Sequence, residues 1–376
     1  MNKKVSVIIS IVLLLCSLTG CGEKIPEKAG NGTLPIADNS VDFAGELKLG
    51  WNLGNTLDST GTRLLGAETA WGQPKTTYEM IRYIKSVGFT SIRIPVTWSS
   101  HMNTDYTIDE QWMDRVQEVV DYGLDAGLYV ILNSHHDCEM YYPSEEHMEE
   151  SKAYLEAVWT QIADRFAGYD ERLIFESMNE PRLIGTDKEW WFSEEDEEGI
   201  ASIRCIVELN QTFVDTVRGR SGYNTTRYLL VPSNAAAAQN ALSEAFSMPK
   251  DRENRVMLSV HAYLPYDFAM NETGYREWDS DKTEELSFLD ELYEKFVKNG
   301  YGVVIGEMGA INKDNLEDRI RWADDYTKKA AQSRISCFLW DNGGISVGRE
   351  NFAMIDRRKL SVYYPGMLSV MLENYK

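Results

Sequence analysis

The sequence predicts a single (β/α)8 barrel, an α/β fold in which eight parallel strands alternate with helices. Short apolar runs recur eight times along the chain, and amphipathic stretches with helical spacing separate several of them. Polar side chains and carboxylates follow the carboxyl ends of these runs. The alternative is an open doubly wound sheet. The lack of a glycine-rich phosphate loop after the first run argues against a nucleotide-binding version of that sheet.

Each predicted strand is an apolar run of four to seven residues. The runs cover residues 47–51, 90–96, 128–134, 173–178, 227–232, 256–260, 302–305 and 335–339. Residues 77–87 and 112–124 place apolar side chains three and four positions apart, and Gly88 and Gly127 follow as helix stops. Since no further linker interrupts the pattern, residues 41–376 are predicted to form one catalytic domain.

The first 20 residues have the pattern of a lipoprotein signal peptide. Lys3 and Lys4 precede an apolar core at residues 5–15, which is too short to span a membrane. Leu-Thr-Gly-Cys, ending at Cys21, resembles a bacterial lipobox, and that resemblance implies cleavage before Cys21 and lipid attachment to its thiol. An ordinary signal peptide with an incidental cysteine is the alternative.

Residues 21–40 are polar and are predicted to form a flexible tether. We therefore expect an exported protein on the cell surface, anchored by lipid, with an extracellular catalytic domain. Membrane contact is expected only through that lipid.

Composition narrows the range of partners. The formal charge is −21, from 59 acidic and 38 basic residues. This balance argues against nucleic acid, whose phosphates require a basic surface, and it suits a neutral substrate. Cys138, Cys205 and Cys337 are scattered without metal-ligand spacing, so neither a metal site nor a disulfide framework is predicted.

Two apolar runs end in carboxylates. The stretch 173–181 ends in Asn179, Glu180 and Pro181, and the stretch 303–307 ends in Glu307. In a parallel barrel, the carboxyl ends of the strands form the face that carries catalytic groups. A pair of carboxylates on one face indicates cleavage of a glycosidic bond, with one acting as acid and the other ionised.

Other polar and aromatic residues follow the same strand ends. Each has a structural explanation when taken alone, but their coincidence on one face supports a sugar site, since an arginine keeps a carboxylate ionised and aromatic rings stack on pyranoses. These residues are Trp51, Asn52, Arg93, Trp98, His135, His136, Asp137, Asn179, His261, Tyr263 and Trp340.

Several motifs together resemble those of family 5 glycoside hydrolases, a clan of retaining cellulases and related β-glycanases. They are Asn179-Glu180-Pro181, the stretch 91–98 around Arg93, His135, His261-Ala262-Tyr263, Ile305-Gly306-Glu307 and Trp340. Residues 50–58, 71–77 and 352–357 are similar to the large bacterial subfamily 4, which contains endo-β-1,4-glucanases, lichenases and xyloglucanases.

The resemblance implies a role for each matched residue. Glu180 would be the acid/base and Glu307 the nucleophile, held by Arg93 and Tyr263. Asn179 would contact the sugar 2-hydroxyl. The remaining implied binding or supporting residues are His135, His136, His261, Trp340, Asn52 and Trp51. Strand alternation favours only one of the adjacent histidines in the cleft, and alignment with the family favours His135.

The expected activity is hydrolysis of internal β-1,4-glucosidic bonds by a monomer that uses no cofactor or metal. Trp340 and three further aromatic residues, Trp51, Trp71 and Trp98, are expected to offer stacking surface. The preferred polymer is open among cellulose, lichenan, xyloglucan, mannan and xylan, because barrel loops determine specificity.

Two other functions compete with this interpretation. A metal-dependent barrel hydrolase could use the histidines and carboxylates as ligands, but the first strand ends Trp-Asn-Leu-Gly, not in the usual His-x-His pair. A surface glycan-binding lipoprotein with an inactive barrel is the second alternative, but such proteins usually lose a catalytic carboxylate, and both are present here.

Overall fold

A computed structural model describes residues 34–376 and contains a closed barrel of eight parallel strands. The strands pair in sequence order, and β8 returns to pair with β1. The predicted (β/α)8 barrel is therefore confirmed. The strands are β1 (Leu49–Asn52), β2 (Ser91–Ile94), β3 (Tyr129–Asn133), β4 (Leu173–Glu176), β5 (Leu229–Ala237), β6 (Val256–His261), β7 (Val303–Met308) and β8 (Ser336–Leu339).

Helices surround the barrel, and a small hairpin of β9 (Ile355–Asp356) and β10 (Ser361–Val362) follows β8. The helices are α1 (Ser40–Leu47), α2 (Tyr78–Ser86), α3 (Glu110–Asp125), α4 (Met148–Arg165), α5 (Glu197–Arg218), α6 (Ala238–Leu242), α7 (Tyr266–Ala269), α8 (Phe288–Lys295), α9 (Leu316–Gln332) and α10 (Pro365–Asn374). Side-chain N-caps begin several of them, for example Thr77 at α2 and Asp109 at α3.

Helix α1 closes the amino end of the barrel, a role that the sequence did not predict. Phe43 stacks on Tyr228 with ring centroids 3.8 Å apart and meets the edge of Tyr129. Inside the barrel, Phe338 approaches Gly50 so closely that a Cβ there would lie 2.2 Å from its ring. The amino end is thus filled by packed aromatic and aliphatic side chains.

Two predicted boundaries at the amino end need correction. Leu47, predicted to begin the first strand, ends α1. Residues 34–40, predicted to be tether, contact the barrel, because the hydroxyls of Tyr129 and Tyr228 donate to the carbonyls of Pro35 and Ala37. The signal peptide, Cys21 and the rest of the tether lie outside the described residues. Within residues 34–376, no helix combines the length and apolar character needed to cross a membrane.

Strand lengths differ from prediction where the catalytic face begins. β4 ends two residues earlier than predicted, at Glu176, whereas β5, β6 and β7 extend further and shift register near their carboxyl ends. Irregular pairing of this kind turns side chains toward a site at the rim of a barrel. His261 and Glu307 pair across β6 and β7 directly after one such shift.

Candidate active site

The predicted site residues converge at the carboxyl end of the barrel. Arg93 lies in β2, His261 in β6 and Glu307 in β7. Asn179 and Glu180 follow β4 and do not lie within it. These five residues meet because all strands of a parallel barrel end on the same face.

Arg93 is the centre of the hydrogen-bond network and is fully buried. Its Nε donates to Glu176 Oε2 at 2.6 Å, and its Nη2 donates to Asn179 Oδ1 at 2.7 Å. Its Nη1 donates to Glu307 Oε1 at 2.8 Å and to Asn52 Oδ1 at 3.0 Å. Because the guanidinium is a rigid plane with five donors, one side chain orients acceptors from several strands.

Glu307 has a hydrogen-bond donor at each carboxylate oxygen. Arg93 serves Oε1, and the Tyr263 hydroxyl donates to Oε2 at 2.8 Å. Both contacts implied by the family resemblance are therefore present. Burial and the neighbouring Glu180 raise the pKa of Glu307 above its usual value, although His261, Arg93 and Tyr263 act in the opposite direction.

Glu180 lies beside Glu307. One oxygen of each carboxylate and a ring nitrogen of His261 all lie within 4.8 Å of one another. This proximity of one oxygen from each carboxylate suits the ~5–5.5 Å separation of the carboxyl groups in a retaining glycosidase. Arg182 adds a positive charge, with Nη1 at 3.6 Å from Glu180 Oε2.

His261 connects the two carboxylates. Its Nδ1 lies 2.7 Å from Glu180 Oε1 and 3.7 Å from Glu307 Oε2, and its Nε2 lies 3.4 Å from Arg93 Nη2. Nδ1 therefore faces the Glu180 carboxylate, and a proton on Nδ1 donates a hydrogen bond to Glu180 Oε1.

Opposing effects determine the pKa values of this pair. Burial raises the pKa of Glu180, but the hydrogen bond and charge of His261, together with Arg182 and His136, outweigh burial and bring that pKa below its usual value. For His261, burial is outweighed by Glu307 and Glu180, so its pKa lies above the usual value. These directions favour an ionised Glu180 that accepts a hydrogen bond from a protonated His261.

The adjacent histidines occupy different positions at one rim of the site. His135 is buried, and its ring lies parallel to Trp340 with centroids 5.6 Å apart. His136 is exposed, packs 5.6 Å from Trp71, and its Nδ1 donates to the Asp58 carbonyl at 2.7 Å. Strand alternation does not separate them, because both lie beyond the last residue of β3.

Two of the predicted stacking residues do not offer a stacking surface, so those predictions are wrong. Trp51 and Trp98 are fully buried, so neither ring can meet a sugar. Their indole N–H groups donate to the Asp341 carboxylate and the Asn133 carbonyl, both at 2.9 Å, which makes them supports of the barrel rim. Trp71 is 39% exposed and retains an accessible ring.

Sequence reasoning missed the support beneath Trp340. The buried Asp341 accepts from backbone N–H groups of the segment before β9 and pairs with Arg357 at 3.2 Å. Arg357 also donates to the Gly54 carbonyl at 2.8 Å. A Cβ at Gly54 would lie 2.9 Å from the Trp340 ring, so glycine is needed for this close approach.

Glu176 and Arg182 were also missed, although one signal was present in the sequence. Glu176 is an acidic residue within an apolar run, and such a charge requires a buried partner, which is Arg93. Ser259 completes its shell by donating to Glu176 Oε1 at 2.5 Å. Arg182 carried no comparable signal, since it lies in an irregular loop.

Metal ligation is disfavoured by the hydrogen bonds in place. Within residues 34–376, two groups have suitable donor atoms close together: Glu180, His261 and Glu307, and Asp58, His135 and His136. A cation in the first group would face the Arg93 guanidinium, 2.8 Å from Glu307. In the second, both Asp58 oxygens accept backbone N–H groups. The arrangement suits acid/base and nucleophilic chemistry.

A close pair of carboxylates, with Glu307 buried and Glu180 partly exposed, lies beside aromatic surface, which is the equipment of a glycoside hydrolase. The family model described as cellulase (glycosyl hydrolase family 5) matches residues 56–346. The chain belongs to that family. The predictions of a family 5 enzyme and of a glycoside hydrolase of the endoglucanase type are thereby confirmed.

Similar proteins carry consistent names. Endoglucanase B of Ruminococcus albus is 41% identical over 352 residues, covering 93% of this chain and 84% of that protein. Cellulase/esterase CelE of Acetivibrio thermocellus is 39% identical over 98% of this chain, which spans only 47% of CelE. The present chain therefore corresponds to about half of that protein.

Solved structures agree in fold. A mutant family 5 lichenase from a Caldicellulosiruptor species, in complex with cellotetraose, superposes with a TM-score of 0.87 at 42% identity, covering 94% of this chain and 98% of that one. A broad-specificity endoglucanase from Ruminococcus champanellensis with bound cellotriose superposes with a TM-score of 0.85 at 40% identity, covering 90% of this chain and 99% of that one.

Proposed function

We propose that this enzyme cleaves internal β-1,4-glucosidic bonds by double displacement, with Glu307 as nucleophile and Glu180 as acid/base. The observation that carries the proposal is the proximity of the two carboxylates. One oxygen of each, together with a ring nitrogen of His261, lies within 4.8 Å of the others. Arg93 and Tyr263 occupy both Glu307 oxygens, which orients the carboxylate and favours its ionised form.

In the first step, Glu307 attacks the anomeric carbon while Glu180 donates a proton to the departing glycosidic oxygen. The C–O bond breaks, the released chain keeps that proton, and a glycosyl-enzyme ester remains. In the second step, Glu180 takes a proton from water, whose oxygen displaces Glu307. Asn179 accepts a hydrogen bond from the same Arg93 guanidinium and is suited to bind the sugar 2-hydroxyl in both steps.

The proton for the first step is shared by Glu180 and His261. His261 Nδ1 lies 2.7 Å from Glu180 Oε1, so the pair can hold this proton either as a cationic His261 beside an ionised Glu180 or as a neutral His261 beside a protonated Glu180. An entering sugar displaces water from Glu180, and this desolvation favours the neutral carboxyl group. Glu180 then becomes the acid with His261 as its proton partner.

Glu307→Ala and Glu180→Ala variants test the assignment. Removing Glu307 should lower turnover by at least ~10⁴-fold on every substrate, since no ester can form. Removing Glu180 should cost ~10²–10⁴-fold on β-glucan but far less on aryl glycosides with good leaving groups, which need little protonation. Equal losses on both substrate classes for Glu180→Ala would contradict its role as acid. Proton NMR of the first product should detect the β-anomer.

The proposed substrates are unbranched or mixed-linkage β-glucan and xyloglucan. Support comes from the net charge of −21, which disfavours anionic polymers, and from similar proteins named lichenase and broad-specificity endoglucanase. Reducing ends should appear faster from barley glucan or xyloglucan than from mannan or xylan, with an early fall in viscosity. Activity confined to mannan, or release of monosaccharide only, would refute this specificity.

We further propose a monomeric lipoprotein exported to the cell surface. The pattern Leu-Thr-Gly-Cys ending at Cys21, after a basic and apolar segment, supports the lipid anchor. Such an anchor would keep the enzyme at the cell that takes up its products.

A further inference from the structure

Three aromatic side chains are exposed on loops at the catalytic face and have no role in the mechanism above. Trp190 and Trp191 lie in the loop between β4 and α5, and Tyr266 begins α7, shortly after β6. Their exposed fractions are 46%, 62% and 52%. Trp191 and Tyr266 meet edge to face with centroids 6.5 Å apart, so these aromatic residues bridge two loops of one rim.

Trp190 is tied directly to the environment of Glu180. The Arg182 guanidinium covers the Trp190 ring at 4.2 Å from its centroid. The same guanidinium donates to the Glu180 carbonyl at 2.9 Å and lies 3.6 Å from its carboxylate. Arg182 is also fixed by Glu189, which accepts from Nε at 3.0 Å.

This arrangement orients the indole before substrate arrives. Glu189 is itself held by the Gly185 backbone N–H at 3.0 Å, so the loop around Trp190 is braced from within. Arg182 occupies one side of the ring, and the ring remains nearly half exposed. A flat, fixed and accessible aromatic surface beside a sugar-cleaving site is suited to stack on a pyranose.

We infer that Trp190, Trp191 and Tyr266 form a binding platform for the leaving-group end of the glucan chain. This inference rests on the proposed function. The acid of a glycosidase contacts the oxygen that departs with the leaving chain, so aromatic surface beside Glu180 lies on that side. Trp340 follows β8 and packs parallel to His135, so it lies outside these two loops and is suited to the sugars that become attached to Glu307.

The chain itself favours this occupant over a protein partner. The platform is continuous with the active site through Arg182, which packs on the Trp190 ring and lies beside the Glu180 carboxylate. Binding energy at such a remote sugar can contribute to positioning the bond that is cleaved. The platform should therefore matter only when the leaving group is itself a sugar.

Variants Trp190→Ala and Trp191→Ala test the platform with two substrates. An aryl cellobioside has no sugar in its leaving group, whereas cellohexaose and barley glucan extend over the platform. Each variant should lower kcat/KM on cellohexaose and barley glucan about 10-fold or more, and the double variant further, while aryl cellobioside hydrolysis stays within about 2-fold. The bond cleaved in end-labelled cellohexaose should also shift.

Tyr293→Ala is the matched control, because Tyr293 is an aromatic residue of α8 with 38% exposure outside the catalytic face. It should retain parent activity on all substrates. Unchanged kcat/KM on cellohexaose in both tryptophan variants would overturn the inference, as would an equal loss on aryl cellobioside, which would indicate damage to Glu180. If the parent enzyme cleaves no β-glucan, the proposed function fails instead.

Discussion

At the scale of single residues, Arg93 determines the geometry of the site. It is buried with two carboxylates, Glu176 and Glu307, each within 2.8 Å. The two negative charges compensate the cost of burying one cation, and the excess charge leaves Glu307 partly dependent on other donors. Tyr263 and His261 supply them. The ionisation of Glu307, the proposed nucleophile, is thus determined by several neighbours.

Tyr263→Phe tests this dependence through pH. The hydroxyl lowers the pKa of Glu307, which burial raises, so its removal should raise that pKa further. Because Glu307 must be ionised to attack, the acidic limb of kcat/KM should move to higher pH, and kcat should fall about 10–100-fold. A pH–rate profile on an aryl cellobioside measures both effects. An acidic limb that stays in place or moves to lower pH would contradict this account.

The sequence predicted the members of this network better than their orientations. Arg93, Tyr263 and Glu307 were found because each lies in or near a strand end and matches a family motif. Trp51 was expected to reach the cleft, but a residue at a strand end can point outward from it, and its indole binds Asp341. Contacts between distant segments, such as that of Arg93 with Glu176, can be predicted only when the register of the barrel strands is known.

At the scale of elements, the two ends of the barrel have separate tasks. α1 closes the amino end with Phe43, while irregular pairing of β5, β6 and β7 shapes the carboxyl end. The sequence did not predict α1, because eight residues following a polar stretch give a weak periodic signal. The register shifts were equally hidden, since a bulge depends on the partner strand.

Phe43→Ala should destabilise the fold without altering the chemistry. The side chain is fully buried and stacked on Tyr228, so truncation should cost about 3–5 kcal/mol of the free energy of unfolding. Urea unfolding measures this loss, and Tyr293→Ala should remain within about 0.5 kcal/mol of the parent. Below the unfolding range, kcat should be unchanged, because α1 lies at the end opposite Glu180. A stable Phe43→Ala protein would show that α1 is dispensable.

At the scale of the whole molecule, the barrel places the proposed point of attachment and the catalytic site at opposite ends. The chain enters at the amino end, where residues 34–47 contact the barrel, and the sugar site lies at the carboxyl end. A lipid at Cys21 would therefore join the membrane-facing side and leave the cleft directed outward. The net charge of −21 would repel the domain from an anionic lipid surface.

Cys21→Ser tests the proposed anchor in the producing cell. The thiol is the only group at that position able to accept the lipid, so the variant should lose labelling by radioactive fatty acid and leave the membrane fraction. Cys16→Ser, directly after the apolar core of the predicted signal, is the matched control and should retain the label. Hydrolysis of barley glucan by the released variant should equal that of the parent in detergent, because Cys21 lies outside the catalytic domain. Continued labelling of Cys21→Ser, or an unlabelled parent protein, would refute the lipoprotein proposal and leave the enzyme assignment intact.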